Sequence, residues 1–141
     1  MSISDDTISV DVFNDVRTAI VSASPIVTNS TTSKTKTATV LAAYNDKATT
    51  TPQIVINPAA IDESEWRFGS FQGKKIINVS VECYYSNTLG VDQLSDTVMK
   101  AIRETAFDGM ELIAVTSDYA FTNPNEMKFH LKTITFTFER E

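Results

Sequence analysis

The sequence predicts a single α+β domain, ordered α-β-β-β-α-β-β, with two helices packed on one mostly antiparallel sheet. Three observations carry this reading. Val91, Leu94, Val98, Ile102 and Thr105 recur at helical spacing, with Asp92 and Asp96 early and Arg103 late, an order that suits the helix dipole. Phe13, Val16 and Ile20 make a second, narrower helical stripe, widened by Val12. Between them, Ile77, Val79, Val81, Cys83 and Tyr85 alternate with Asn78, Ser80, Glu82 and Tyr84, which predicts a strand with one buried and one largely wet face. The 141 residues amount to one domain. A chain of this size buries roughly two thirds of its unfolded surface, enough for a core without covalent staples.

The first helix spans about Ser9 to Ser22, and Pro25 marks its end because the residue before a proline is pushed out of the α region. Thr28–Thr37 contains no apolar side chain and reads as a long solvated loop or as an extended arm ordered by a partner. Ala38–Tyr44 and Gln53–Asn57 are short strand candidates joined by the polar Asn45–Thr51, with Pro52 and Pro58 setting the ends of the second. Residues 59–73 read as a long connection, and Lys75–Ser86 as the clearest strand. Asn87 or Thr88 is placed to cap the second helix, which Asp108-Gly109 should end. Two strands follow, Met110–Ser117 and about Glu126–Glu139, around a turn at Asp118–Asn125. Met127, Phe129 and Leu131 are apolar at odd positions but Ile134, Phe136 and Phe138 at even ones. That change of parity predicts a β-bulge near Lys132-Thr133 or burial on both faces.

Composition excludes several functional classes. Hydrophobic residues at 42% and charged residues at 21% are those of a globular domain. A net charge of −6, with no basic cluster beyond Lys74-Lys75, disfavours nucleic acid as the main partner. No apolar run approaches the ~20 residues of a membrane span. Asp5 and Asp6 stand where a secretory signal would be positive, so no signal peptide is expected and synthesis in the cytoplasm is the default. The lone Cys83 cannot form an internal disulfide.

Candidate chemistry is sparse. His130, the single histidine, is in phase with Lys128 and Lys132 on what should be the wetter side of a strand. Cys83 is in phase with Val79 and Val81 and reads as a small buried hydrophobe. Gly69, Gly73, Gly90 and Gly109 are too far apart to cradle a phosphate. Glu126-Met127-Lys128 forms an E-x-K, and the order of elements resembles the PD-(D/E)xK nucleases. In that family the motif precedes the second helix, where this chain has Glu82-Cys83-Tyr84. Asp62, Glu63 and Glu65 lack the alternation of a calcium loop and read as a solvated acidic turn. No catalytic residue, metal ligand or cofactor is therefore expected. The aromatic group Trp66, Phe68 and Phe71, flanked by Arg67, Lys74 and Lys75, belongs either to the core or to a partner interface, and these six residues are the candidate contact surface.

The ordering as a whole resembles the tail terminator, or tail completion, proteins of tailed bacteriophages. It is carried by the amphipathic N-terminal helix, the proline-bounded Thr51-Pro-Gln-Ile-Val-Ile-Asn-Pro, the Gly- and aromatic-rich loop, the alternating strand ending Tyr84-Tyr85-Ser86, the second helix and the final strand pair. The likeness covers nearly the whole chain, in architecture and length. It implies a homo-oligomeric ring, usually a hexamer, that sits on the tail tube protein, stops its polymerisation and meets the head–tail connector protein. The place implied is the neck of the virion, with no membrane, no cofactor and no enzymatic activity. Residues 28–37 and the loop Asp62–Gly73 would then be mobile in the subunit and ordered in the assembly. Two other classes fit the same features: another neck or tube subunit, and a cytosolic binding domain that uses its aromatic loop.

Overall fold

The computed structural model describes residues 3–29, 31–42, 52–65, 74–122 and 129–140. Helix α1, Ile8–Ser22, follows a single 3-10 turn at Asp5–Thr7. Its entrance is fastened by one carboxylate: Asp11 accepts from the Ser4 N–H at 2.9 Å and the Thr7 hydroxyl at 2.7 Å. Those two bonds hold the Asp11 carboxyl below the ordinary carboxylate range. Val12, Val16 and Ile20 are fully buried, and Phe13 packs on the same core from its half-buried position. The chain leaves α1 through Ser24, whose φ of +49° reverses its direction immediately before Pro25.

Strands β1 (Ile26–Thr28) and β2 (Thr35–Thr37) then form an antiparallel hairpin, which corrects the expectation of a loop across Thr28–Thr37. Its turn is built by Asn29, whose side-chain oxygen accepts from the Thr31 N–H at 2.8 Å and the Thr32 N–H at 3.1 Å. The chain runs almost straight from β2 into β3 (Thr39–Leu41). Ala38 N–H donates back to the Pro25 carbonyl, whereas Thr39 N–H donates the other way, to the Pro52 carbonyl. The run from Thr35 to Leu41 thus has the hairpin on one flank and the main sheet on the other.

The main sheet comprises β3, β4 (Gln53–Ile56), β5 (Ala60–Glu65), β6 (Lys74–Tyr85), β7 (Glu111–Thr122) and β8 (Phe129–Arg140). Its order is β3-β4-β6-β8-β7, with β5 following β4 along the same edge of β6, and only the β3–β4 pair is parallel. Residues 60–65, expected within a connection, are therefore a strand, broken by an irregularity between Asp62 and Glu65.

Helix α2, Thr88–Glu104, is capped by Asn87, whose side chain accepts from the Gly90 N–H at 2.7 Å. It ends sooner than Asp108-Gly109 foretold. Thr105 is already extended and turns its hydroxyl back to the Ala101 carbonyl at 2.6 Å. Asp108-Gly109 makes a separate turn, with Gly109 at φ +99° and its carbonyl held by the Arg140 guanidinium at 2.8 Å.

Both helices lie on one face of the sheet. Val91, Leu94, Val98 and Ile102 of α2 join the α1 stripe over Ile54, Ile56, Ile77, Val79, Val81, Ile134, Phe136 and Phe138. The parity change in β8 resolves as burial on both faces. Its register with β6 is unbroken from Lys75↔Arg140 to Tyr85↔His130, so no bulge exists at Lys132-Thr133. Ile134, Phe136 and Phe138 meet the helices, whereas Leu131 packs on the reverse face with Val55 and Tyr84. That reverse face is accordingly less wet than alternation alone implied. The irregularity lies instead in β7, between Leu112 and Ala114. β7 also runs on through Asp118–Thr122, where a turn was expected, because β8 offers a ladder partner residue for residue.

Candidate interaction surfaces

The two margins of the structure are finished differently. At the hairpin margin, α2 closes the outer flank of β1. The Gln93 amide oxygen accepts from the Thr28 N–H at 2.8 Å and its amide nitrogen donates to the Thr28 carbonyl at 3.4 Å. A helix side chain thereby does for one residue what a further strand would do. At the other margin, β7 pairs only with β8 among the described residues, leaving a twelve-residue edge. Most of its described side chains are exposed, including Ile113 and Tyr119 at about half of their full area. Protective devices on this edge are few: one irregularity near its start, and Asp118 as the sole charge from Ala114 to Thr122.

Near the end of that edge, Tyr119 stacks on His130 with ring centroids 5.7 Å apart, and its hydroxyl hydrogen-bonds the His130 Nδ1. His130 and Lys132 do not occupy a wet face opposite the core. They continue the helix-facing parity of Ile134, Phe136 and Phe138 beyond the end of the core, and Lys132 meets Asp92 of α2 at 3.3 Å.

A cleft of about 410 Å³ opens between the hairpin, the end of β6 and the start of α2. Val27, Tyr85 and Leu89 supply its apolar wall, and Lys34 and Lys36 its cationic one. Leu89 is half exposed, although it opens a helix whose other apolar residues are covered. The reverse face of the sheet carries a polar ladder: Thr137 donates to Asn78 at 2.8 Å, Ser80 meets Thr135 at 3.4 Å, and Asn57 donates to Glu82 at 3.3 Å. Tyr84 also donates to Glu82.

Of the residues expected to form a contact surface, Trp66, Arg67, Phe68 and Phe71 lie outside the described residues, as do Glu126 and Lys128. Lys74 opens β6 opposite Glu65, and Lys75 stands half-buried opposite Arg140. Asp62, Glu63 and Glu65 lie along β5 instead of converging in a turn. Among the described residues, no three His, Cys, Asp or Glu side chains come together as a metal site would require. Cys83 is fully buried, and loss of hydration pushes its thiol up to about 12. Sequence reasoning overlooked Gln93, Tyr119 and the cleft. Gln93 sits on the polar side of a helix, and only the fold brings it to a strand flank. Tyr119 could have been found by extending the alternation of β7 past Ser117. The chain matches no family model and no curated protein.

Proposed function

We propose that this chain is a structural protein of a tailed-bacteriophage virion. It forms a ring at the head-proximal end of the tail tube, ends tube polymerisation and joins the tail to the head connector. The observation that supports this reading is the inequality of the two margins: a hairpin edge tied to α2 by Gln93 and, opposite it, a long β7 edge that pairs with no further strand among the described residues. A subunit with two unlike margins associates head to tail, and such contacts close into a ring when each step includes a rotation. The amphipathic helices, the proline-bounded strand and the final strand pair, by which the sequence resembles the tail terminators, favour this ring among the assemblies that head-to-tail contact permits.

Purified protein should migrate well above its 15.6 kDa subunit mass, and electron microscopy should show closed rings. Added to polymerising tail tube protein, it should stop tubes at one end. A chain that remains monomeric both alone and with tube protein overturns the reading.

A further inference from the structure

We infer that the subunit contact is a knob-in-cleft joint in which Tyr119 of one copy enters the cleft between the hairpin and α2 of the next. The inference rests on the ring reading and names its contact. Three observations lead to it. First, the two surfaces are complementary in kind. Tyr119 is 51% exposed on an edge strand, held in place by its stack on His130, and the cleft presents the half-exposed Leu89 beside the covered Val27 and Tyr85. Second, they are complementary in charge. Asp118 is the neighbour of Tyr119 on the β7 edge, and Lys34 and Lys36 form the cationic wall of the cleft. Tyr119 and Asp118 project from opposite faces of the strand, so a hairpin that clasps the edge meets both. Third, their positions suit a repeated side-by-side contact. Tyr119 lies across β8 from the end of β6 that carries Tyr85, so knob and cleft share one end of the sheet. Strand order places β3, and with it the hairpin, at the margin opposite β7. A copy set beside another by rotation about an axis along the strands brings the β7 margin of one to the hairpin margin of the next.

The occupant is therefore a second copy of this chain. A two-fold pairing of β7 with β7 is less favourable: centred on the regular Ala114–Thr122 run, it sets Asp118 against Asp118.

Charge reversal tests the joint with residues that are exposed and not part of the core. Asp118→Lys alone, and Lys34→Glu with Lys36→Glu, should each weaken self-association at least tenfold in native mass spectrometry and light scattering. In an equimolar mixture of the two variants every contact of an alternating ring pairs opposite charges, reversed at one contact and native at the next, so the mixture should assemble, and the variant carrying all three changes repeats the test in a single chain. It should recover assembly. Tyr119→Ser should dissociate the assembly without changing circular dichroism. If wild type forms rings and all variants do so equally well, this joint is wrong while the ring reading stands. If wild type stays monomeric with and without tube protein, both fall.

Discussion

Replacing Val98 tests the packing of the helices on the sheet at its centre. Val98 is fully buried on the inner stripe of α2, within the cluster that joins both helices to β4, β6 and β8. Val98→Ala removes two methyl groups, which costs about 1.6 kcal/mol at ~0.8 kcal/mol each. A residual cavity of roughly 40 Å³ adds about 1 kcal/mol at ~24 cal/mol per Å³. The expected loss is about 2.5 kcal/mol, or about 10 °C in Tm for a domain between the small and medium size classes. Val98→Asp should cost more, because its carboxyl group would enter an apolar cluster with no partner placed to receive it. Urea denaturation followed by circular dichroism measures both, with an unchanged m-value for Val98→Ala showing that the reference states are intact. A loss below about 0.5 kcal/mol for Val98→Ala, the size of an ordinary surface change, would refute the placement of α2 on the sheet.

Gly90→Ala should destabilise the protein by about 1–3 kcal/mol despite the gain in helix propensity, because an added Cβ would stand 2.3 Å from the Tyr85 ring; thermal denaturation reads it directly. Gln93→Ala should cost about 1 kcal/mol and speed hydrogen exchange at the Thr28 amide, which loses its 2.8 Å acceptor, while amides in the centre of β6 keep their protection. Cys83 should resist alkylation in the native protein and react once unfolded. Its folded thiol, raised to about 12, stays protonated where the unfolded thiol ionises. The contribution of Cys83 to stability is thus fully present below the unfolded value near 9 and is lost as pH rises from there towards 12. Cys83→Ala should flatten that alkaline decline in a denaturation series against pH.

What was legible in the sequence is what local periodicity encodes. Of the stripe read as Phe13/Val16/Ile20 and widened by Val12, the valines and Ile20 are fully buried and Phe13 is half-buried. Val91/Leu94/Val98/Ile102 and the inward face from Ile77 to Tyr85 are buried as read, because each is fixed by the geometry of its own element. Strands whose existence depends on a distant partner were not legible. The hairpin has only Val27 buried within it, and it holds through the Asn29 turn and the reach of Gln93 across 65 positions of sequence. β5 carries an acidic run that disfavours a strand on propensity, yet β6 supplies its ladder. β7 passes through Ser117 and Asp118 for the same reason. In β8 the parity of apolar residues was read correctly, but a chemical pattern alone does not distinguish a slipped strand from a straight one with a second apolar contact. Leu131 against Val55 and Tyr84 decides for the latter.

The candidate contact was illegible for a related reason. A core residue is signalled by its neighbours in sequence, since the same face recurs every two or every three to four positions. A docking surface has no such period. The cleft joins Val27 and Lys34 from the hairpin to Tyr85 and Leu89 from the passage between β6 and α2, and its proposed occupant comes from positions 118 and 119. Aromatic density drew attention to Trp66, Phe68 and Phe71, which lie outside the described residues, whereas Tyr119 at an edge and Leu89 at a helix start carry no such signal. Each is ordinary when taken alone. They acquire meaning from the unequal finishing of the two margins, where a helix side chain meets one flank at Thr28 and, among the described residues, no strand pairs with the other. A two-fold contact would set one margin against the same margin of a second copy, and assembly through that surface would stop at a dimer. In the proposed joint the contact is between unlike surfaces, so every copy that fills its cleft would leave its own edge to be met, and the closing of a ring would end the series.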